Sequence, residues 1–307
     1  MKINQRKFSG EADKQAMAAL VRAFPAGNLH VADLAYRLSS WALDDPENIG
    51  LWVNTEGQLL AWAVMQTPFW VIDYACHPGA ESLHPQILAW ADSRARHTLG
   101  TASGRPTWFV NVLAGQADRI RDLEQAGFAS QADVGQDSWS KVRMLCTTPA
   151  TEDAPPAGFL IRPLAGEKEV EACVELHRAV FESKNMTVEW RRRILHCPEY
   201  RPDLDLVAVA PDGRLAAFCV GWLDRRSEKE PYGQIEPLGV HRDFRGLGLG
   251  QAILSDGLRR LRLDGADRVY VETDNYRNAA RLLYESVGFR VIQNVLVYRK
   301  DYGDTQS

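Results

Sequence analysis

The chain has 307 residues, of which 45% are hydrophobic and 25% are charged, as is ordinary for a folded globular protein. This length exceeds that of one typical domain and predicts two. A net charge of −4 gives no basic surface, so we expect neither nucleic acid nor an acidic membrane as a partner.

The N-terminal sequence MKINQRKFSGEADKQ lacks the apolar core of a signal peptide. No run approaches the ~20 apolar residues of a membrane-spanning helix, so we expect a cytoplasmic protein. The five cysteines are odd in number and have no CxxC spacing, which predicts neither a disulfide framework nor a metal site.

The N-terminal half alternates between helical and strand-like patterns. The predicted elements are a helix over 31–42, a hairpin over 50–66, a strand over 70–76, a helix over 85–99, a strand over 107–113 and a helix over 118–125.

A segment rich in proline and small residues follows, TTPATEDAPPAG, without any apolar stripe. This composition is typical of an exposed linker. We therefore predict domains at 1–147 and 158–307, joined by a linker at 148–157.

The C-terminal half repeats the alternation. Its predicted elements are a strand over 159–164, helices over 167–181 and 188–197, a hairpin over 204–223, a strand over 234–240, a helix ending near Asp264, a strand over 269–272, a helix before Gly288 and a closing strand over 291–298. The last helix is expected to bury Ala279, Leu282, Leu283 and Val287, and the run Arg191-Arg192-Arg193 is interpreted as a solvated face.

The two halves share an order of elements. VIDYACH at 71–77 aligns with IEPLGVH at 235–241, and Gly127-Phe128 aligns with Gly288-Phe289. The pattern predicts an α/β fold made of two tandem related domains, each with a mixed central sheet flanked by helices.

The sequence QIEPLGVHRDFRGLGLG at 234–250 combines a strand, a glycine-rich loop and the start of a helix. Glycines at 246, 248 and 250 let successive backbone N–H groups converge on phosphate oxygens, while Arg245 adds charge. The helix points its positive end at the same place, so the sequence predicts a pyrophosphate site.

This loop is followed by a strand and by NAARLLYESVGF at 278–289, which contains Asn-x-x-Ala and Tyr-x-x-x-Gly-Phe. With Arg245, Gly248 and Gly250, this arrangement resembles the GNAT superfamily of acyl-CoA-dependent N-acyltransferases. The resemblance implies acetyl-CoA as cosubstrate, no metal, and direct attack of a primary amine within a ternary complex formed by the C-terminal domain.

The resemblance also implies roles for individual residues. The cofactor contacts would come from Leu238, Gly239, Val240, Arg245, Gly246, Leu247, Gly248, Leu249, Gly250, Asn278 and Tyr284. Asn278 would alternatively cap its helix. Tyr284 would protonate the departing CoA thiolate, the alternative being an ordinary half-buried aromatic residue.

Glu236 lies in an apolar strand, where a carboxylate is costly unless it is paired or its pKa is raised. Several members of the family place a general base there, often acting through water. A structural hydrogen bond is the alternative reading for Glu236, and Glu272 is a lesser candidate for the base.

The first copy lacks the corresponding chemistry. Glu81, His84 and Gln86 stand where the second copy has Arg245, Gly248 and Gly250, and Leu123 stands in place of Tyr284. We therefore expect a degenerate N-terminal domain that does not bind CoA.

The sequence leaves the acceptor open between a small-molecule amine and a peptide amine. By analogy of architecture with tandem members of the family, an amino-sugar conjugate is one candidate. Transfer to a hydroxyl, a longer acyl donor, or a non-catalytic acyl-CoA sensor are the alternatives, and the chain is expected to be a monomer or a homodimer.

Overall fold

A computed structural model describes residues 2–132, 134–135, 138–148, 153–225 and 231–303. Part of the predicted linker, 149–152, lies outside these residues. The chain forms two compact units, one made of the residues up to Lys141 together with those from Gln293 onward, and the other of Val142–Ile292.

The first half of the chain contains β1 to β6 and α1 to α4. In chain order these are β1 (Ile3–Arg6), α1 (Glu11–Ala23), α2 (Leu34–Leu38), β2 (Ile49–Asn54), β3 (Leu59–Gln66), β4 (Val71–Cys76), α3 (His84–Thr98), β5 (Thr107–Leu113), α4 (Ala117–Gln125) and β6 (Ala129–Ser130).

The remaining elements follow the same plan. They are β7 (Ser140–Cys146), β8 (Leu160–Pro163), α5 (Val170–Phe181), α6 (Val188–His196), β9 (Asp205–Val209), β10 (Leu215–Asp224), β11 (Tyr232–Val240), α7 (Leu249–Leu263), β12 (Arg268–Asp274), α8 (Asn278–Ser286) and β13 (Arg290–Asp301).

The closing strand belongs to a different unit from the one that the linker suggests. Residues 295–301 of β13 pair antiparallel with β5, so the strand predicted over 291–298 completes the N-terminal sheet. That sheet has the order β1-β2-β3-β4-β5-β13, and the C-terminal sheet has the order β8-β9-β10-β11-β12-β7. The predicted boundary is crossed because β7, just before the linker, belongs to the C-terminal sheet, whereas β13, the last strand of the chain, belongs to the N-terminal sheet.

The predicted repeat corresponds to repeated elements. Strands β5 and β12 occupy 107–113 and 268–274, and helices α4 and α8 occupy 117–125 and 278–286, so both pairs are separated by the same number of residues at both ends. Each unit thus has a mixed sheet with helices, which is the predicted α/β class.

In the C-terminal unit, α7 packs its apolar stripe against the sheet. Leu254, Leu258 and Leu261 are buried in a cluster that also contains Ile235 of β11 and Tyr284 of α8. Apolar burial on this scale is the main source of stability for such a layer. The core therefore extends to the candidate site.

Part of the linker is bound to this unit. The carboxylate of Asp153 accepts hydrogen bonds from Ser255 Oγ at 2.5 Å and from Gln251 Nε2 at 3.2 Å, both on α7. Arg262 donates to the carbonyl oxygens of Cys146 and Thr148 at 2.9 and 3.1 Å. The described ends of the linker are thus held by specific polar contacts.

One helix was not predicted, and two expectations about helices are wrong. Helix α1 lies in the polar N-terminal segment, where Met17, Leu20 and Val21 supply a buried face. The helix expected over 31–42 is reduced to α2, which ends at Leu38. In α8 the buried residue is Tyr284, whereas Leu282 is 59% exposed.

The basic run 191–193 is also not uniformly solvated. Arg191 is buried and forms an ion pair with the buried carboxylate of Asp205. Arg192 and Arg193 pair with Glu167 and Glu189 at the surface. Burial of Arg191 is tolerated because its charge has a partner.

The described residues contain neither a membrane-spanning helix nor a cluster of metal ligands. No helix in the described part of the chain is both long and apolar enough to cross a membrane. No three His, Cys, Asp or Glu side chains among the described residues are arranged to hold a metal ion.

His177 of α5 packs beside β10. Its ring stacks on Phe218 with centroids 5.7 Å apart and an interplanar angle of 16°. Burial, followed by the charges of Arg191 and Arg178, lowers the pKa of His177 to about 3. The folded protein therefore keeps this ring neutral at pH values where the unfolded chain protonates it.

This pKa predicts a pH-dependent stability. The pKa of His177 in the folded protein lies below the ordinary value of 6.5. The free energy of unfolding is therefore at its full value above pH 6.5 and falls as the pH decreases below it, because the unfolded chain then binds a proton at this ring and the folded protein does not. The loss should be about 1.4 kcal/mol per pH unit between about pH 6 and pH 4. Urea unfolding of wild type and His177→Phe across this range should give a shallower slope for the variant; parallel curves would contradict the assignment.

Candidate active site

The candidate site forms where two parallel strands diverge. Strand β12 pairs with β11 through Tyr232, Gly233 and Gln234, and this is the full extent of their register in the described residues. Beyond it, β11 continues to Val240 beside β10 alone. The side of β11 that faces away from β10 therefore has backbone groups for which β12 supplies no partner.

A bulge coincides with the divergence. Cys219 of β10 lies opposite Leu238 and Gly221 lies opposite Ile235, so β11 contains one residue more than its partner here. The extra residue falls at the cis peptide between Glu236 and Pro237. Bulges bend a strand, and proline in a sheet is confined to such positions because it has no N–H to donate.

Trp222 fixes this bulge from the neighbouring strand. Its indole Nε1 donates a 2.6 Å hydrogen bond to the carbonyl oxygen of Glu236. The Trp222 side chain is 1% exposed. Packing of its buried ring therefore holds the indole N–H in place against this carbonyl oxygen. Sequence analysis missed Trp222, since nothing in the spacing of the nine tryptophans distinguishes it.

The loop after β11 has the backbone of a phosphate cradle. Gly246 and Gly248 adopt φ angles of 79° and 81°, a region that other residues rarely occupy. A Cβ at either position would meet nothing within 4 Å, so the conformation, and not crowding, requires glycine. Leu247 between them is half exposed.

Helix α7 begins directly at this loop. Its first internal hydrogen bond in this turn runs from the Ala252 N–H to the Gly248 carbonyl oxygen at 3.1 Å. The N–H groups of the preceding first-turn residues have no acceptor within the helix, and they carry the positive end of its dipole. An anion placed there would be stabilised by both effects.

Gly250 has a different reason to be glycine from the one expected. A Cβ at this position would approach Leu283 and Val240 to 3.3 Å. The small residue thus lets α7 pack closely against α8 and the end of β11. Gly250 sets the position of the helix that bears the free N–H groups.

Arg245 lies at the open side of the loop. Its Nε donates to the carbonyl oxygen of Val240 at 3.2 Å, and the side chain is exposed. No described carboxylate lies within ion-pair distance of Arg245, whereas the neighbouring Arg242 has Asp243 at 3.8 Å. The Arg245 guanidinium is therefore free to pair with an anion bound at α7.

Tyr284 lies beneath the diverging strands. It is 7% exposed and packs edge to face on Phe289, with centroids 5.6 Å apart. Burial, then the charges of Glu236 and Cys219, raise the pKa of Tyr284 well above its usual range, while Arg277 opposes the shift. The phenol therefore stays protonated at neutral pH.

Glu236 is half-buried on the bulge, close enough to Tyr284 for its charge to act on the phenol. Burial lowers the pKa of Arg277, but the charge of Asp274, the neighbouring Tyr276 and the charge of Glu236 together raise it above its ordinary value. Arg277 is bound to Asp274 at 2.9 Å, and its guanidinium carbon lies 5.9 Å from the centre of the Phe181 ring. The structure thus brings together Glu236 and Tyr284, and adds Arg277, which sequence analysis missed.

Asn278 and Glu272 were lesser candidates. Asn278 is the first residue of α8 and is exposed, and the residue before it serves as N-cap without a side-chain hydrogen bond. The capping role proposed for Asn278 is therefore wrong, and a ligand contact stays a prediction. Glu272 is half-buried in β12.

Gly239 is constrained from behind. A Cβ built on it would lie 2.4 Å from Val180 Cγ1 and 2.9 Å from Phe218 Cζ. Leu238 and Val240, on either side, pack partly buried against the core cluster. The strand segment predicted to hold the acyl group is therefore fixed in position by close packing.

We expect Gly239→Ala to displace β11. Overpacking of this kind costs about 1–3 kcal/mol of unfolding free energy, and the displacement should also weaken binding at the loop. Gly221→Ala on β10 is the matched control, because its Cβ would meet Leu204 at 3.4 Å, an ordinary contact. Equal unfolding free energies for the two variants, measured by urea denaturation, would refute this reading.

A known protein family matches part of the C-terminal unit. The model of the acetyltransferase (GNAT) family matches residues 170–289, which include the bulge, the glycine loop, α7 and Tyr284. The N-terminal sheet lies outside the matched residues.

Curated relatives include two mycothiol acetyltransferases. The protein from Kineococcus radiotolerans is 39% identical over 139 residues, 43% of this chain and 43% of the relative. The protein from Thermobispora bispora is 30% identical over 168 residues, 52% of this chain and 56% of the relative. The chain thus matches about half of the length of these curated relatives.

Solved structures cover the whole chain. A GCN5-related N-acetyltransferase from Sphaerobacter thermophilus aligns with a TM-score of 0.67 at 22% identity, covering 97% of this chain and 95% of that one. A tandem GNAT protein from the clavulanic acid biosynthesis pathway aligns with a TM-score of 0.63 at 14% identity, covering 99% and 100%. The chain has the fold of these GNAT structures, one of them a tandem protein, and residues 170–289 of its C-terminal unit match the model of the GNAT acetyltransferase family.

Proposed function

We propose that the chain is an acetyl-CoA-dependent N-acetyltransferase whose chemistry takes place in the C-terminal unit. The observation that carries the proposal is the divergence of β11 from β12 with the glycine loop at its open end and Tyr284 beneath it. These features support the proposal because they would provide, in one place, a phosphate site, backbone groups that β12 does not pair, and a protonated phenol.

The pyrophosphate of acetyl-CoA would bind at the start of α7. The left-handed glycines let the loop backbone approach it, the first-turn N–H groups donate to it, and Arg245 contributes charge. Binding the remote end of the donor in this way positions its thioester, which is where much of the rate enhancement of a two-substrate reaction arises.

The pantetheine arm would lie along β11. The backbone of Leu238, Gly239 and Val240 is in register with β10 on one side and is left by β12 on the other. The exposed N–H groups would pair with the arm and polarise the thioester carbonyl, which develops negative charge as the amine attacks.

The reaction then needs two proton transfers. The amine nitrogen forms a bond to the carbonyl carbon, and Glu236 accepts the proton that the amine loses, directly or through water. The C–S bond breaks, and Tyr284 donates its phenolic proton to the CoA thiolate. Tyr284 keeps its proton at neutral pH, which a general acid requires before it donates.

The acceptor is proposed to be the primary amine of a small molecule. The relatives named mycothiol acetyltransferase make the acceptor of those enzymes the first to test. The charge of Arg277 acts on Tyr284, and its guanidinium carbon lies 5.9 Å from the centre of the Phe181 ring, so the acceptor is expected to contact Arg277 and Phe181.

We expect Tyr284→Phe to lower kcat by about 10²–10³-fold, since loss of a general acid has effects of this size. The Kd for CoA should change little, because the ring and its packing on Phe289 are retained. Stopped-flow or steady-state thiol release gives kcat, and calorimetry gives Kd. An unchanged kcat would remove Tyr284 from the mechanism.

Arg245→Gln should weaken CoA binding by at least about tenfold, the loss expected for one charge-assisted contact to phosphate. Arg242→Gln is the control, since Arg242 is exposed on the same loop and is already beside Asp243. Calorimetric titration with CoA distinguishes the two. Equal affinity of both variants and wild type would place the pyrophosphate elsewhere.

A further inference from the structure

The N-terminal unit contains a cleft of about 570 Å³ that the proposed transferase reaction does not use. It lies between the segment 23–28 after α1, the end of β4 and the start of α4. In this unit too the central parallel strands diverge, because β4 and β5 share a register at Val71 and Phe109 only, within the described residues. A volume of this size suits a small-molecule ligand.

The cleft is unsuited to a pyrophosphate. The carboxylate of Glu81 accepts the N–H of Gly79 at 2.7 Å, so it occupies a loop donor and places negative charge at the rim. His84 begins α3 where the C-terminal unit has a glycine before α7. Asp118 adds a second exposed carboxylate to the lining. A ligand with several negative charges would be repelled there.

Deeper in the cleft, Arg119 supplies positive charge. Its Nη1 donates to the carbonyl oxygen of Gly27 at 3.1 Å, and its guanidinium lies 5.2 Å from the centre of the Tyr74 ring. No carboxylate of the described residues lies within ion-pair distance of it, although Arg121, two residues further along α4, pairs with Asp118. Arg119 is half-buried, so an anion here would be screened less than at the surface.

His84 provides a second, independent indication of a ligand. It lines the cleft and is 1% exposed, yet neither ring nitrogen makes a hydrogen bond in the described residues. Nδ1 lies 3.4 Å from Asp122 Oδ2. Nε2 has no hydrogen-bond partner among the described residues. A buried polar group without a partner is costly, and such groups are commonly satisfied by a bound molecule.

The two polar groups stand among apolar ones. Phe24, Pro25, Ala26 and Pro78 line the same cleft. A smaller cavity of about 40 Å³, with room for water, shares Gly27, Asn28, Gln116 and Arg119 with it. The guanidinium therefore lies at the inner end of a cleft whose outer walls are partly apolar.

We propose that this cleft binds a small monocarboxylate with an apolar tail. The carboxylate pairs with Arg119 and lies beside His84, while the tail packs on the apolar wall. The single charge of such a ligand matches the single free cation found in the described lining, and the acidic rim excludes polyanions such as CoA.

The test uses the intact chain and straight-chain monocarboxylates of about two to eight carbons, with hexanoate as the main probe and hexanamide as its uncharged match. Calorimetry in the presence of saturating CoA should detect hexanoate and not hexanamide. Arg119→Gln should weaken hexanoate at least about tenfold, as expected for loss of a charge-assisted pair. Arg121→Gln, exposed on the same helix, should bind as wild type does.

Two further variants guard against misfolding. Arg119→Lys keeps the charge and should retain most of the affinity, and His84→Phe should lose part of it. Undetectable binding of every acid, equal binding of acid and amide, or full affinity in Arg119→Gln would each overturn the proposal. Displacement of hexanoate by CoA in the Arg245→Gln protein would also overturn it, by making the cleft a second CoA site. None of these outcomes depends on transferase activity.

Discussion

The divergence of two parallel strands is the constraint on which the candidate site depends. A strand inside a sheet satisfies its N–H and C=O groups on both sides, and β11 does so with β12 only through Gln234. The residues beyond must find other partners, because unpaired backbone groups away from water are costly. An extended ligand such as a pantetheine arm would supply them, by occupying the position of a neighbouring strand.

Several side chains hold this geometry in place. Pro237 cannot donate to a neighbouring strand, and the bulge beside it turns β11 away from the regular ladder. Trp222 satisfies the carbonyl oxygen of Glu236, and close packing behind Gly239 prevents the strand from relaxing inward. The opening is therefore built largely by packed residues such as Trp222 and Pro237, for which no ligand contact is proposed, and this explains why so few of them carry a recognisable motif.

The sequence predicts what depends on local rules and misses what depends on distant partners. The glycine loop can be predicted because glycine is the residue that readily adopts the positive φ angles found at Gly246 and Gly248, and its spacing is visible in the sequence. The apolar stripe of α7 can be predicted because its residues recur with the period of a helix. The pairing of β13 with β5, the burial of Arg191 against Asp205 and the position of Arg277 near Glu236 depend on residues far apart in the chain, and no local pattern encodes them.

The two units show how one backbone plan separates into two kinds of site. Both have diverging parallel strands followed by a helix, so both have an opening at the same place in the fold. In the C-terminal unit the loop offers first-turn N–H groups and Arg245. In the N-terminal unit Glu81 occupies a loop N–H, and the cation, Arg119, lies on α4, the helix after β5. Since the strand geometry is common to both, the loop backbone and the placement of charge would decide which anion each opening accepts, and the acidic rim of the N-terminal cleft would disfavour CoA.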